Sequence, residues 1–262
     1  MFRTKKQFGQ HFLVNQATLQ AIADYCSIGP EDCCVEIGPG KGALTRYLIQ
    51  SQANITAVEI DTRLKPTLER FKQQHQNFSF LMGDVLEVDL ASLAKGKVTV
   101  AGNLPYEIST PLLFKLVHIR HQINRMVFLL QKEVVDRIVA SPGTKAFGRL
   151  SVMMQYYFEV EGLLVVPPHD FNPPPKVMSQ VVRLVPKVRE DWVSYESFSQ
   201  FVKYLFAMQR KMLRQRFKGM VTPEGWTSLN ILPTNRPQDL DLDQILVLYR
   251  YLLDNGDIGK LT

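Results

Sequence analysis

The sequence predicts an α/β fold, with an open sheet of parallel strands followed by a helical segment. Short apolar runs alternate with segments of helical periodicity up to about residue 188. A glycine-rich turn follows the first of these runs, and a carboxylate or amide side chain follows each of the next three. Because the ends of parallel strands meet at one edge of a sheet, this pattern indicates a ligand site at that edge.

Length and charge set broad limits on the protein. The 262 residues allow one large domain, or one large domain with a small second one. Lys and Arg together number 31 against 25 acidic residues, which gives a net charge of +6. A basic balance suits an acidic partner such as nucleic acid, although many other proteins share it.

Cysteine usage and hydropathy indicate a reducing compartment. The three cysteines, Cys26, Cys33 and Cys34, cannot all pair and show no Cys-x-x-Cys spacing, so we expect no structural zinc or other metal site. No apolar run reaches the roughly 18 residues that a membrane span needs. The amino terminus lacks the apolar core of a signal peptide. We therefore expect a cytoplasmic protein with no membrane partner.

The amino-terminal segment contains FGQHFL, from Phe8 to Leu13. One interpretation is a hydrophobic clamp that docks the tail, and the other is a lid over a bound ligand. Composition favours the clamp. Asn15 then has the character of an N-cap, and we expect a helix that ends near Tyr25.

The first apolar run leads into three glycines at alternate positions, Gly38, Gly40 and Gly42, and then into a helix. Glycines allow close approach of a ligand to the backbone, and a helix amino terminus offers exposed N–H groups. The spacing is G-x-G-x-G, not the G-x-G-x-x-G that seats a pyrophosphate. Glu36 places a carboxylate beside the turn, which favours a cationic or amine-bearing ligand.

Acidic residues follow the next two predicted strands, which span Ile55–Ile60 and Phe78–Met82. Glu59 lies about 20 residues past the glycine turn, where a carboxylate typically holds a ribose diol. Asp84 could accept from an adenine amino group. Each acid alone could equally be a solvated strand terminus, but their joint placement with the glycine turn favours one shared crevice.

The fourth strand, predicted at Val98–Ala101, runs into Asn103, Leu104, Pro105 and Tyr106. Pro105 fixes its own φ and disfavours the α region for the residue before it. The side-chain carbonyl of Asn103 and the main-chain carbonyl of Leu104 or Pro105 could present two acceptors to an exocyclic amine. The ring of Tyr106 could stack on a planar base. The alternative is an ordinary strand-to-loop turn.

The rest of this region continues the alternation. We expect helices at Pro111–Val117, Lys132–Ala140 and Leu150–Phe158, and strands at Met126–Leu130, Leu163–Val166 and Gln180–Val185, the last two as a hairpin. Five prolines near Phe171 predict a rigid loop that holds its ring in place. The alternative is a packed linker with Phe171 in the core.

The carboxyl-terminal part follows a linker at Arg189–Asp191, and its first segment, Tyr195–Lys218, is rich in cations. Tyr195–Lys218 shows the periodicity of an amphipathic helix or a close helix pair. On one helix, Arg210, Arg214 and Lys218 would share a face, which suits contacts with phosphates or, alternatively, with the helix dipole. Pro237–Asn255 is interpreted as a packing helix.

Eight motifs, in order, resemble those of the KsgA (RsmA) family of small-subunit rRNA adenine N6,N6-dimethyltransferases: FGQHFL, VEIGPGKG, VEID, GD, GNLPY, LLQKEV, GRLSVMMQYY and FNPPPKV. The resemblance implies a Rossmann-like, seven-stranded class I methyltransferase domain at residues 1–188. It also implies a small all-helical domain at 189–262 that contacts RNA or the ribosome. The implied enzyme uses S-adenosyl-L-methionine to dimethylate two adjacent adenosines near the 3′ end of small-subunit rRNA.

The resemblance also assigns roles to individual residues. The implied cofactor-binding residues are His11, Leu13, Gly38, Glu59, Asp84 and Asn103. The implied catalytic residues are Asn103, Leu104, Pro105, Tyr106 and Phe171, the two aromatics sandwiching the target base. His11 stands where some relatives have Asn. The implied partner is small-subunit rRNA in the small ribosomal subunit or its precursor, approached by a monomer.

Other functions stay open at this point. A binding or assembly-checkpoint protein could hold the pre-ribosomal particle and methylate little. A DNA adenine methyltransferase would share the Asn-x-Pro-Tyr chemistry. A dinucleotide oxidoreductase is disfavoured by the glycine spacing and by NLPY.

Overall fold

In a computed structural model, the chain is described at residues 11–93, 96–189 and 193–261. By their contacts the described residues form two compact units. Unit 1 comprises those of Met1–Val135 and Glu159–Pro186, and unit 2 those of Asp136–Phe158 and Lys187–Thr262. Residues 136–158 thus group with unit 2, whereas the predicted domain boundary after residue 188 stays a prediction. Positions 8–10 of FGQHFL and 190–191 of the predicted linker lie outside the described residues.

The strands, in chain order, are β1 (Phe12–Leu13), β2 (Cys33–Ile37), β3 (Asn54–Glu59), β4 (Phe78–Met82), β5 (Val98–Asn103), β6 (Ile123–Gln131), β7 (Phe158–Val166), β8 (Phe171–Asn172) and β9 (Ser179–Pro186). The helices are α1 (Gln16–Cys26), α2 (Thr45–Gln50), α3 (Lys65–Gln74), α4 (Tyr106–His118), α5 (Lys132–Ile138), α6 (Arg149–Tyr157), α7 (Tyr195–Phe206), α8 (Leu213–Arg216), α9 (Pro223–Ser228) and α10 (Leu242–Asp254).

Seven strands form one sheet in the order β4-β3-β2-β5-β6-β9-β7. The pairs from β4 to β6 are parallel, and β6 pairs with β9 in the antiparallel sense. Parallel strands are covered on both faces, which explains why the last four residues of β2 are all buried. The predicted α/β class and the seven-stranded, Rossmann-like sheet are confirmed, and β9 lies beside β7, as a hairpin requires.

The core of unit 1 joins the sheet to the helices that follow its strands. Buried members come from α1, α2, α3 and the strands, and include Leu19, Ile22, Leu48, Ile55 and Leu68. The predicted N-cap of α1 is confirmed, since the Asn15 side chain accepts the Thr18 N–H at 3.1 Å. This cap begins the helix at the residue that the sequence indicates.

Helix α4 begins earlier than predicted. We expected a start at Pro111, but the helix begins at Tyr106, and Pro111 lies inside it. Pro105 occupies the N-cap position with extended backbone angles, and Glu107 in the first turn suits the helix dipole. Tyr106 is therefore the first residue of a helix and not part of a loop.

One long helix over Tyr195–Lys218 is wrong, and the alternative of a close helix pair is confirmed. Helix α7 ends at Phe206, and α8 begins only at Leu213. The Leu213 and Arg214 N–H groups donate to the Asn235 and Pro233 carbonyls, which replaces the hydrogen bonds of a continuous helix. The three cations predicted to share one helix face therefore do not lie on one helix.

Aromatic side chains form the centre of unit 2. The ring of Phe198 lies 4.7 Å from that of Tyr156 and 5.3 Å from that of Tyr249 between centroids. Tyr249 belongs to α10, whose buried residues also include Ile245 and Leu248. The predicted packing role of the carboxyl-terminal helix is thereby confirmed. Across residues 11–93, 96–189 and 193–261, no helix is long and apolar enough to cross a membrane.

At Gly102, β5 lies so close to β2 that there is no space for a side chain. A Cβ at this position would lie 2.5 Å from the Ile37 carbonyl oxygen. We expect Gly102→Ala to lower the free energy of unfolding by about 1–3 kcal/mol through overpacking, as measured by urea denaturation. The control is Gly29→Ala, where the added Cβ would lie 3.9 Å from the Asp32 carboxylate. Equal urea midpoints for the two variants would contradict the prediction.

Candidate functional site

Four neighbouring strands bring the predicted cofactor residues to one edge of the sheet. β4, β3, β2 and β5 lie side by side and run parallel, so their carboxyl ends share an edge. Glu59 and Asn103 are the last residues of β3 and β5. Gly38 directly follows β2, and Asp84 comes shortly after β4. The sequence pattern therefore corresponds to a real juxtaposition, at the place where open α/β sheets bind ligands.

The turn after β2 depends on left-handed backbone. Gly38 and Gly40 have φ angles of +67° and +59°, a region that residues with a side chain rarely adopt. The Gly38 N–H donates to the Val58 carbonyl at 2.9 Å, which ties the turn to β3. A Cβ added to Gly38 would meet nothing within 4 Å. The backbone at Gly38 thus borders open space that a ligand can use.

Glu59 organises the glycine turn from β3. Its side chain is buried; Oε2 accepts the Gly40 N–H at 3.1 Å, and Oε1 accepts the Asp61 N–H at 2.9 Å. Each carboxylate oxygen has two lone-pair positions, so both can still accept from another donor, such as a ribose hydroxyl. The contact with a ribose stays a prediction.

The Glu36 carboxyl does not lie where the sequence predicts it, beside the glycine turn and available to a cationic ligand. Its side chain is 1% exposed, and Oε2 accepts the Thr45 hydroxyl at 2.7 Å. It therefore links β2 to the first residue of α2 beneath the glycine turn. Burial, with a smaller contribution from the nearby charge of Glu59, raises the pKa of the Glu36 carboxyl to about 7, although the hydrogen bonds from Thr45 act in the opposite direction. The carboxyl supports the turn and does not face a cationic ligand.

Asp84 begins a tight turn after β4. Its half-buried side chain accepts the Leu86 N–H through Oδ1 at 2.9 Å. Its main-chain carbonyl accepts the N–H groups of Glu87 and Val88 at 2.9 Å and 3.0 Å. The carboxylate is thus oriented by its own turn, and its contact with an adenine amino group stays a prediction.

The amide of Asn103 is oriented by the amino-terminal segment. Its Nδ2 donates to the main-chain carbonyl of His11 at 3.1 Å. A carbonyl only accepts, so the NH2 group must face His11, and the Oδ1 acceptor must point elsewhere. The bond leaves the amide with the acceptor that the predicted amine contact requires.

The two candidate main-chain acceptors beside Asn103 differ in their hydrogen bonding. The Pro105 carbonyl accepts the Ile108 N–H and the Ser109 hydroxyl, both at 3.2 Å. It is therefore turned into the first turn of α4. This leaves Leu104, whose N–H pairs with the Leu129 carbonyl at 3.2 Å, as the better source of a second acceptor.

Tyr106 and His11 form a stacked pair. Their ring centroids lie 6.1 Å apart at an interplanar angle of 27°. The Tyr106 hydroxyl lies 3.4 Å from the Ser179 hydroxyl, and His11 Nδ1 lies 2.7 Å from the Pro173 carbonyl oxygen. Because that oxygen only accepts, Nδ1 carries the proton. The tyrosine ring is thereby held beside Asn103 with His11 packed against it.

The amino-terminal segment is docked on the proline-rich loop. Phe12 and Leu13 form the short strand β1, which pairs antiparallel with Phe171 and Asn172 in β8. The Leu13 side chain is buried in the core of unit 1. Its predicted cofactor contact would thus be made by main-chain atoms. The docking that the clamp interpretation requires is present from residue 11 onward.

Phe171 lies in the core of unit 1. Its side chain is 4% exposed and belongs to the same buried cluster as Leu13 and Leu19. The structure therefore shows the alternative of a packed linker at this position. The role of Phe171 as a platform for the target base stays a prediction, and Tyr106 has the more accessible ring.

The described residues show no cluster of metal ligands, and two of the three cysteines, Cys26 and Cys34, are buried. Within the described ranges, no group of three or more His, Cys, Asp or Glu side chains could hold a metal ion. Burial raises the pKa of the Cys26 thiol to about 12 and that of Cys34 well above its usual value. Both thiols therefore stay protonated at neutral pH and are poor nucleophiles.

Sequence reasoning missed three hydroxyl partners of the site. Ser109 lies four residues after Pro105, and this spacing lets a hydroxyl reach the carbonyl one helical turn earlier, so a local signal was present. Thr45 and Ser179 reach Glu36 and Tyr106 only through the fold. Their roles have no local signal in the sequence.

Comparison with known proteins gives one family and a set of relatives. The family model described as "Ribosomal RNA adenine dimethylase" matches residues 1–254. The chain is similar to "Ribosomal RNA small subunit methyltransferase A" of Dechloromonas aromatica, with 43% identity over 252 residues, 95% of this chain and 97% of the relative.

Two solved structures share the fold over nearly their whole length. A dimethyladenosine transferase from Plasmodium falciparum has a TM-score of 0.80 and 26% identity, covering 95% of this chain and 98% of that one. The 23S rRNA methyltransferase ErmE has a TM-score of 0.76 and 23% identity, covering 92% and 99%. At that identity, the likeness to ErmE concerns the fold alone.

The buried Glu36 predicts a pH-dependent stability. Its pKa is raised from 4.5 to about 7, so within this window the folded protein keeps a proton that the unfolded chain releases. The free energy of unfolding should therefore fall as pH rises through the window, by about 3 kcal/mol in total, and be level above it. Glu36→Gln should remove this fall, as measured by urea denaturation from about pH 5 to about pH 8.

The matched control for this prediction is Glu31→Gln, because Glu31 is exposed. Its pH profile should follow that of the unmodified protein. A Glu36→Gln profile with the same fall would show that Glu36 is not the group responsible.

Proposed function

The chain belongs to the ribosomal RNA adenine dimethylase family, and we propose that it dimethylates adenosine amino groups in small-subunit rRNA with S-adenosyl-L-methionine. The substrate is the N6 amine of two adjacent adenosines near the 3′ end of 16S rRNA, modified during small-subunit biogenesis. The supporting observation is the set of Gly38, Glu59, Asp84 and Asn103 on the ends of four neighbouring strands. The relative from Dechloromonas aromatica carries the matching name of a small-subunit rRNA methyltransferase.

The residues at this edge fit the chemical groups of the cofactor. Glu59 offers acceptors for a ribose diol, Asp84 offers acceptors for an adenine amine, and the open backbone at Gly38 allows close approach. His11 and Leu13 border the same site through the docked amino-terminal strand. When bound, S-adenosyl-L-methionine supplies a methyl group on a positively charged sulfur.

Asn103 and the Leu104 carbonyl orient the target amine. An adenine amine is a poor nucleophile because its lone pair is delocalised into the ring. Two fixed acceptors for its N–H groups favour a pyramidal nitrogen, whose lone pair can attack. Since His11 holds the NH2 end of the Asn103 amide, Oδ1 is oriented before the base arrives. Most of the acceleration comes from this positioning.

Tyr106 supplies the stacking surface for the target base. A base inside a helix cannot reach a methyl donor in a crevice, so the adenosine must leave its stack. Stacking on an aromatic ring offsets about 1–3 kcal/mol of the free energy needed to unstack the adenosine. The Tyr106 ring is half-buried and held beside Asn103, whereas Phe171 is packed in the core. We therefore assign the main stacking role to Tyr106.

Unit 2 supplies contacts with RNA phosphates, through residues 137–149 as well as through the helical domain expected at residues 189–262. It contains a cavity of about 540 Å³ lined by Arg137, Lys145, Arg149 and Lys203, and its described lining includes no carboxylate. A cluster of positively charged side chains around one cavity attracts a phosphate backbone. Arg216 serves a structural role instead, since its guanidinium donates to the Tyr204 carbonyl and lies over the Tyr204 ring.

The activity is tested with undermodified small ribosomal subunits and a methyl donor carrying a labelled methyl group. Dimethyladenosine among the digested nucleosides is the expected product. In a parallel reaction with DNA as the substrate, transfer of the label to DNA would instead indicate a DNA methyltransferase.

We propose that the enzyme acts in the cytoplasm as a monomer on the subunit or its precursor. An Asn103→Ala variant that still supports subunit assembly would add a binding role to the catalytic one.

Asn103→Ala removes the Oδ1 acceptor but keeps the other proposed cofactor residues, Gly38, Glu59 and Asp84, at the ends of the neighbouring strands. We expect methyl transfer to small subunits to fall by about 10²- to 10³-fold or more, with only a partial loss of affinity for S-adenosyl-L-methionine. Labelled-methyl transfer and calorimetry measure the two quantities. Asn124→Ala is the control, because Asn124 is an exposed residue at the opposite end of a strand in the same sheet. Full activity of Asn103→Ala would refute the assigned role.

Removing two cations from the basic cavity should weaken RNA binding without altering catalysis. For Lys145→Ala combined with Lys203→Ala, we expect a higher KM for small subunits and an unchanged kcat. The slope of log K against log salt should decrease in magnitude by about one to two. Lys65→Ala combined with Lys72→Ala, both exposed on α3, is the control of equal charge. Equal effects of the two pairs would show that overall charge, not this cavity, determines binding.

A further inference from the structure

Lys115 holds the turn that carries Asp84. It lies in the last turn of α4 and is half-buried. Its ammonium donates to the carbonyls of Val85, Leu86 and Val88 at 3.0, 2.7 and 2.6 Å. An ammonium has three N–H donors, and each therefore has an acceptor in this one turn.

The same turn fixes the Asp84 carboxylate from its other side. Leu86 donates its N–H to Asp84 Oδ1, and Val88 donates its N–H to the Asp84 carbonyl. The carbonyls of these same two residues point to Lys115. Asp84 thus binds the N–H groups of Leu86 and Val88, and Lys115 binds the carbonyls of the same two residues. The orientation of the Asp84 carboxylate therefore depends on the cation.

We propose that Lys115 is a positioning residue for recognition of the adenine amine of the cofactor by Asp84, an inference that rests on the proposed function. Three carbonyl dipoles converge on one cation, and without the charge they would turn towards water. The turn would then relax, and Oδ1 would lose its fixed donor at Leu86. Lys115 itself touches no reacting atom and acts through the turn.

Helix α4 gives this contact a second consequence. The helix begins at Tyr106, directly after the residues that orient the target amine, and Lys115 lies near its end. One helix thereby carries the target-base residue and fixes the cofactor turn. The relative placement of donor and acceptor sites is set by a single rigid element.

The test compares two ligands that differ at the adenine amine. Calorimetry gives Kd for S-adenosyl-L-homocysteine and for its analogue with hypoxanthine in place of adenine. We expect the unmodified protein to prefer the adenine ligand by about 10- to 100-fold, the range for a hydrogen bond to a charged group. In Lys115→Met, this preference should fall to about threefold or less. A merely structural role would weaken both ligands equally and leave the preference unchanged, which would overturn the inference.

Matched variants separate the inference from the proposed function. Lys72→Met, on the exposed face of α3, should keep the full preference. Asp84→Ala should lose it, and adding Lys115→Met should cause no further loss. Failure of the unmodified protein to bind S-adenosyl-L-homocysteine would overturn the proposed function itself. Normal preference in the unmodified protein and in Lys115→Met would overturn only the role of Lys115.

A folding defect does not block the test. If Lys115→Met does not fold, Lys115→Gln takes its place, since its amide can still donate two hydrogen bonds. A preference between those of the unmodified protein and Asp84→Ala is then expected. An unchanged preference in that variant overturns the inference.

Discussion

The parallel pairing of β2 with β3 on one side and with β5 on the other is the constraint on which the site depends. In this register Ile37 lies opposite Val58 and Glu36 opposite Ala101, so the chain leaves all three strands at nearly the same height. A slip in either pairing would separate the glycine turn from Glu59 or from Asn103. Gly102 keeps β5 close to β2, because a side chain there would meet the Ile37 carbonyl. The site is therefore a property of strand register more than of any one loop.

Much of the fold could be predicted because its signals are local. The strands from β2 to β6 are apolar runs bounded by turn residues, and Asn15 marks the start of α1. The errors lie where distant groups decide the structure. Helix α7 stops at Phe206 although the apolar periodicity continues, and the Leu213 and Arg214 amides bond to the distant Asn235 and Pro233 carbonyls instead of to a preceding helical turn. No property of the local sequence reports those bonds.

The candidate site divides in the same way. Strand ends gave the positions of Gly38, Glu59, Asp84 and Asn103, because parallel topology converts sequence order into proximity. The direction of each side chain could not be predicted. Glu36 faces inward to Thr45, and the ring of Phe171 packs in the core. Lys115, which holds the Asp84 turn, could not be predicted either, because in the sequence it is only a basic residue near the end of a helix.

The hydrogen bond from Asn103 to the His11 carbonyl also has a consequence for the nascent chain. His11 is held by β1, which pairs with β8 at Phe171 and Asn172. During synthesis, Asn103 leaves the exit tunnel long before β8 exists, so its amide stays unoriented until the proline-rich loop has emerged. An incomplete chain that ends before this loop therefore lacks the contact that orients the Asn103 amide.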